Sequence, residues 1–151
     1  LKIPPHGATG MIITQGGIVG GWAFYVESGR PVFHYNVAGV ERYTIAAERP
    51  LEPGQHTLTF AFNHDAGGSD KGGTGVISTN GAPIAKGRVE QTIPRLVSFD
   101  EGLDIGEDTG TPVNLDYEVP FKFTGEITEV SVRVYEPPRF IAVPGTPIFH
   151  R

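Results

Sequence analysis

Seven carboxylates, Asp100, Glu101, Asp104, Glu107, Asp108, Asp116 and Glu118, fall between Phe99 and Phe121 with no Lys, Arg or His among them. Like charges at this density repel on a folded surface unless water solvates them or a cation sits between them. A calcium ion is one way to satisfy such a run, because hard cations take six to eight oxygens from carboxylates and loop carbonyls. Its ligands would be Asp104, Glu107 and Asp108, helped by the hydroxyls of Thr109 and Thr111, with Asp65 or Asp70 added from a glycine-rich stretch. No Asp-x-Asp-x-Asp-Gly spacing is present, so a solvated acidic loop, its Asp and Thr side chains capping turns, is the preferred reading. Glycoside hydrolysis is the other chemistry a carboxylate run suggests. A retaining site needs two carboxylates about 5 Å apart on one face. Gly102 and Gly106 occupy the positions that would share a strand face with Asp104, so the nucleophile is missing.

Carbohydrate binding without catalysis would use aromatic platforms, and Tyr25, Tyr35, Tyr43 and Tyr117 are the candidate ligand-binding side chains. Trp22 alternates with Phe24 and reads as core, which leaves Tyr25, on the opposite strand face, as the stronger platform. The five histidines are scattered: His6 and His150 near the ends, His34 and His56 in strand-like runs, His64 beside Asp65. His64-Asp65 reads as a turn-capping pair. Neither Gly-x-Ser-x-Gly nor a phosphate-cradling Gly-x-x-x-x-Gly-Lys is present, and no catalytic residue is assigned.

The elements that must position these residues are strands. Met11–Gln15, Gly21–Val26, Val32–Asn36, Arg42–Ala46, Gln55–His64, Val76–Thr79, Pro83–Ala85, Val89–Phe99 and Glu126–Tyr135 are apolar or alternating runs, separated by turn residues. Ser28-Gly29-Arg30-Pro31 and Asn80-Gly81 are expected hairpin turns. Ile127, Val130, Val132 and Val134 mark the last run as a buried strand. Asp65–Gly75 reads as a flexible glycine-rich loop. About ten short strands with no helix between them predict an all-β fold, a two-sheet antiparallel sandwich of jelly-roll type. Residues 1–136 form one sandwich domain on this reading. Residues 137–151 are a Pro-rich extended tail whose Phe140, Ile141, Val143, Ile148 and Phe149 call for a surface to dock on.

The 151 residues suit a single domain. A net charge of −5 argues against nucleic acid or an anionic membrane as partner. Without cysteine there is no disulfide, thiolate metal site or Cys nucleophile. Apolar runs are too short to span a bilayer, so the expectation is a soluble protein, in a bacterial cytoplasm or periplasm. The chain starts at Leu1 and is read as a trimmed or processed piece of something larger.

Gly16-Gly17-Ile18-Val19-Gly20-Gly21-Trp22, Tyr25-Val26, Tyr35-Asn36 and Glu41-Arg42-Tyr43-Thr44 carry a resemblance. Asp70-Lys71-Gly72-Gly73-Thr74, the run Asp104-Ile105-Gly106-Glu107-Asp108-Thr109-Gly110-Thr111-Pro112-Val113, and Phe121–Ile127 extend it. From about Gly10 to Val134 the chain resembles the C-terminal β-domain that follows the catalytic domain of bacterial arylsulfatases. The resemblance implies a concanavalin A/laminin-G-like sandwich and a parent activity of sulfuric-ester hydrolysis. It brings no catalytic residue across: the family's Cys/Ser-x-Pro-x-Arg motif has no counterpart here. The expected function is therefore a non-catalytic accessory domain, packing on a catalytic sulfatase domain or self-associating through residues 137–151. A lectin-like carbohydrate-binding module, with or without calcium, is the alternative, with a glycan as partner.

Overall fold

The computed structural model describes residues 1–68, 70–93 and 101–135. Asp100, the end of the expected Val89–Phe99 strand and the segment 137–151 lie outside the described residues. Among those described, all regular structure is β. No helix is long and apolar enough to cross a membrane.

β1 (Lys2–Ile3) precedes a four-strand antiparallel meander, β2 (Gly10–Gly17), β3 (Gly20–Glu27), β4 (Arg30–Val37) and β5 (Glu41–Ala46). β6 (Gly54–Gln55) returns to pair with β1. A second antiparallel sheet comes next, in the order β7 (Leu58–His64), β8 (Lys71–Thr79), β9 (Ala82–Gln91). The chain then rejoins the first sheet. β10 (Leu103–Ile105) runs antiparallel to β2, from Leu103 opposite Gln15 to Ile105 opposite Ile13. β11 (Glu107–Asp108) pairs with β12 (Phe121–Lys122), which lies parallel to β2 at Met11.

The turns are set by their residues. Ser28 and Gly29 have φ of 50° and 80°, Asn80 and Gly81 of 51° and 83°. Positive φ at both central positions is what a two-residue type I′ hairpin requires. The alternation of β3 then sorts its side chains between two cores. Phe24 and Val26 join Phe33, Tyr35 and Ile45 on one face, with Trp22 packed beside them. Ala23 and Tyr25 join Met11 and Val32 on the other. β3 and β4 are buried along nearly their whole length, so both faces of this sheet are covered.

The first face meets the second sheet. The rings of Phe33 and Phe60 stack at 3.6 Å and 10°, with Phe24 and Phe62 beside Phe60 at 6.0 and 6.4 Å. This corrects the reading of the glycine-rich stretch. Only its first part turns; Gly72, Gly73 and Gly75 belong to β8. Phe62 and Phe60 lie across Gly73 and Gly75, where any Cβ would run into the rings. Glycine is there to admit aromatic side chains against the backbone, a cross-strand packing that flexible loops do not need.

A second correction concerns Glu126–Tyr135. An isolated bridge joins Lys2 to Glu126, but residues 127–135 form no ladder. Ile127 and Val130 pack half-buried on the core, while Val132, Val134 and Tyr135 are 62%, 89% and 80% exposed. Alternation gives the stretch the pattern of a strand, yet no strand edge lies against it among the described residues, and burial fails with the pairing.

Candidate functional site

Two regions of the molecule gather chemically notable side chains, one on each face of the β2–β5 sheet. The first is the acidic segment itself. After β11 the chain crosses the sheet's second face and returns at β12, laying Val113, Tyr117 and Phe121 on Met11, Tyr25 and Val32. Tyr25 and Tyr117 pack at 5.3 Å, and Tyr117 stacks on Phe121 at 4.6 Å. Polar atoms enclosed by this lid must find partners, and a continuous network supplies them. The Tyr117 hydroxyl donates to Asp108 Oδ2 at 2.6 Å and accepts from the Val113 amide at 3.0 Å. Asn114 Nδ2 donates to the Tyr25 hydroxyl at 2.8 Å and to Asp116 at 3.0 Å. Asn36 donates to the carbonyls of Gly17, Ile18 and Val113, and its Oδ1 accepts from the Gly39 amide. At the rim, Glu101 accepts from both the amide and the hydroxyl of Thr111, whose Oγ1 accepts in turn from the Ile18 amide.

Enclosure sets the electrostatics. Burial pushes the Tyr25 and Tyr117 phenols well up, and the Asp108 carboxylate adds to the shift of Tyr117. Burial also raises Asp108, against the opposing hydrogen bond from Tyr117. His34 lies on the same face, 2% exposed. Its Nδ1 sits 2.8 Å from Thr44 Oγ1, and its Nε2 is buried without a partner among the described residues. Desolvation, with Arg42 nearby, lowers its pKa to about 4, so the ring is neutral at pH 7.

The second region is an opening of about 940 Å³ between the sheets. Trp22, Phe24, Phe33, Tyr35, Phe60 and Phe62 form its walls, with residues 127–133 along one lip. Trp22 stacks on Phe33 at 6.4 Å and remains half-buried. The Tyr35 hydroxyl accepts from the Ile93 amide at 3.1 Å, so one wall is fixed to the end of the second sheet.

Set against the sequence reading, the four tyrosines separate. Tyr25 and Tyr117 come together as core beneath the lid, 1% and 6% exposed, which corrects the choice of Tyr25 as an external platform. The reason is that both faces of β3 are covered, so lying opposite Trp22 does not mean facing solvent. Tyr35 lines the opening. Tyr43, opposite Tyr35 in the β4–β5 ladder, is half-buried against the same core, and its hydrogen bond to Glu41 pushes its pKa up to about 12. The carboxylates separate as well. Asp104 pairs with Thr14 in the β10–β2 ladder, Asp108 is inside the lid, and Asp70 is exposed. Asp65 pairs with Arg88 at 2.7 Å, and that hydrogen bond holds its carboxyl below the usual range. Among the described residues no three His, Cys, Asp or Glu side chains gather to hold a metal. Part of the acidic run remains solvated, as Asp116 and Glu118 show, while Asp108 is taken inside. His64 Nδ1 lies 2.8 Å from the Asp65 carbonyl and Nε2 3.1 Å from Thr92 Oγ1, a structural role. The aromatic opening was not anticipated. Leu58, Phe60 and Phe62 on one face opposite a strand of glycines was the signal for it.

No family model, no curated protein and no solved structure matches this chain.

Proposed function

We propose that this chain is a non-catalytic accessory β-sandwich that acts by docking, resembling the C-terminal domain of bacterial arylsulfatases, with the jelly-roll, concanavalin A/laminin-G-like arrangement that resemblance implies. One observation carries the reading. The large opening between the sheets is walled by aromatic side chains and edged by 127–133, part of a strand-patterned segment that forms no ladder among the described residues. Exposed apolar surface beside unpaired backbone suits recognition of polypeptide. Acid–base chemistry would instead need a titratable group in reach of a bound substrate. Of the shifted groups, Tyr25, His34, Asp108 and Tyr117 are buried on the lid side of the sheet, and Tyr43, raised by its hydrogen bond to Glu41, does not line the opening. Absence of Cys and of Ser-x-Pro-x-Arg supports the same reading.

The test mixes the purified chain with an aryl sulfate, and separately with an arylsulfatase catalytic domain, while following the single tryptophan. Trp22 stands in the wall of the opening, so docking there shifts its emission to the blue. Expected are no hydrolysis by the chain alone and a saturable Trp22 shift with the catalytic domain. Hydrolysis by the chain alone sinks the proposal. So does glycan-array binding with no Trp22 response to the catalytic domain, a result that would mark a carbohydrate-binding module.

A further inference from the structure

We infer that the aliphatic tip formed by the β2–β3 and β4–β5 turns is an anchor, entering an apolar pocket rimmed by Lys or Arg on the catalytic domain that docks at the opening. This rests on the docking reading and names the part of the chain that enters the partner.

The three turns of the meander are not alike. Its strands alternate in direction, so the β2–β3 and β4–β5 turns lie at one end of the sheet and the β3–β4 turn at the other. The β3–β4 turn is Ser28-Gly29, ordinary turn chemistry. The β2–β3 turn is Ile18-Val19, two β-branched side chains 41% and 57% exposed. In the β4–β5 turn Ala38 and Gly39 take the positive φ of the bend, 51° and 73°, and Val40 follows them 84% exposed. Neither turn needs an aliphatic side chain to form, and none of the three belongs to either core. Apolar residues scattered singly over a surface need no account, but these three share one end and are fixed together. Asn36, fully buried, ties the two turns. Its Nδ2 donates to the carbonyls of Gly17 and Ile18, and its Oδ1 accepts from the Gly39 amide at 2.8 Å. The Ile18 amide donates to Thr111 Oγ1 at 3.0 Å. The tip is therefore ordered before a partner arrives, which lowers the entropy lost on docking.

Charge selects the occupant. Glu41 follows Val40 directly and is exposed, and Glu101 accepts from Thr111, the residue that holds Ile18. The neighbouring cation, Arg42, directs Nη1 to the Val113 carbonyl at 3.2 Å. A second copy brings these acids, and a net charge of −5, against their own kind. A bilayer is held best by a basic fringe, and the fringe here is acidic. A protein pocket bordered by Lys or Arg complements both the aliphatic tip and its acidic surround. Trp22, in the wall of the opening, is three residues beyond Val19, about 10 Å along an extended strand. One partner can therefore cover the tip and the mouth together.

The test titrates an arylsulfatase catalytic domain into the full chain, followed by calorimetry and by Trp22 emission. Val19→Asp with Val40→Asp alters exposed side chains, and an unchanged urea midpoint checks the fold; where the midpoint falls, Val40→Asp alone is read instead. The double variant is expected to bind about tenfold more weakly or worse, and Val40→Leu to bind as the wild type does. Glu41→Lys is expected to weaken binding at low salt, with the deficit fading at high salt. Wild-type affinity and an intact Trp22 shift in the double variant overturn the inference and leave docking at the opening standing. Unchanged or tighter binding by Glu41→Lys overturns the basic rim. A wild-type chain that neither binds the catalytic domain nor shifts Trp22 removes the docking reading, and the anchor with it. Wild-type dimers that the double variant loses assign the tip to a second copy, and binding to phosphatidylcholine vesicles lost in the same variant assigns it to a bilayer. Either result overturns the inference.

Discussion

On one side of the β2–β5 sheet, residues 109–121 are held down by a chain of hydrogen bonds that runs from Asp108 through Tyr117 to Val113, with Asn114 on Tyr25 and Asn36 spanning three carbonyls. On the other, the β7–β9 sheet meets it through stacked phenylalanines and leaves about 940 Å³ open beside them. The two closures differ in what they specify. Hydrogen bonds in an enclosed site have one good geometry, and a half-satisfied network is costly, so the lid is fixed in place. Aromatic contact is non-directional and tolerates a gap that another apolar chain can fill. The polar face is thus finished within the fold, and the apolar face is the one that remains available for docking.

The largest expected effect tests the finished face. Tyr117→Ala removes a buried ring and strands both Asp108 and the Val113 amide. A loss of about 3–5 kcal/mol in urea unfolding is expected, as for deletion of a core aromatic. Hydrogen exchange would then accelerate first across 109–121 while β8 stays protected. Uniform acceleration in both sheets would show that lid and sandwich unfold as one unit and that the contrast between the faces is not energetic.

Acid probes the same face through His34. Its folded pKa, about 4, lies below the ordinary value of 6.5. The unfolded chain therefore binds the proton first as pH falls, and stability present above pH 6.5 is lost between about pH 6.5 and 4. For a ring this deeply buried the loss is at most about 3 kcal/mol. Arg42 nearby works in the same direction, and Asp116 opposes it. Asp108, raised by burial, takes up its proton earlier in the folded state and offsets part of the loss at the acid end. His34→Gln should flatten the slope of the urea midpoint against pH by about one proton in that window. An unchanged slope would mean that His34 is reached by water in the folded chain.

Replacing Tyr117 by Phe sharpens the contrast further, because it keeps the ring and deletes only the hydroxyl. About 1–3 kcal/mol is expected for leaving Asp108 and the Val113 amide short of a partner. Phe62→Leu, at the wall of the opening, is expected to cost less than about 1.5 kcal/mol, since a neighbouring gap absorbs the change in shape. The reverse ranking in urea midpoints would place the rigid packing on the aromatic side.

Much of this was legible from local pattern. Gly21–Val26 alternates, and Trp22 and Tyr25 do fall on opposite faces. Ser28-Gly29 and Asn80-Gly81 sit where positive φ demands them. What failed did so because period-two alternation states which side chains share a face and not what covers it. The strand face that carries Tyr25 lies outward only if nothing crosses it. The crossing segment carries no periodicity, just Val113 and Tyr117 four residues apart among acids. Gly72, Gly73 and Gly75 resembled a linker because glycine's freedom in a loop and its smallness under a ring leave the same letter in the sequence. In 127–135 the alternation was real, but a strand also needs an edge, and the neighbour that supplies one is a property of the whole topology.

The smallest effect expected is on the rim of the second sheet, where Arg88 forks onto both oxygens of Asp65 at 3.1 and 2.7 Å and lies 3.6 Å from Glu90. By geometry alone this is the most complete ion pair on the surface described. Its side chains are nonetheless 41% and 44% exposed, and solvent with salt screens most of such a pair's attraction while ordering two long side chains opposes it. Arg88→Met keeps the aliphatic stem opposite Thr74 in the β8–β9 ladder and removes the charge together with the guanidinium's hydrogen bond to Thr74. The urea midpoint should stay within error of the wild type, at low and at high salt alike. A clear drop at low salt that vanishes at high salt would show that charge pairing, and not the stacked rings and glycine backbone beneath it, fixes the position of β9 on β8, and the aromatic side of the molecule would then have its own electrostatic latch.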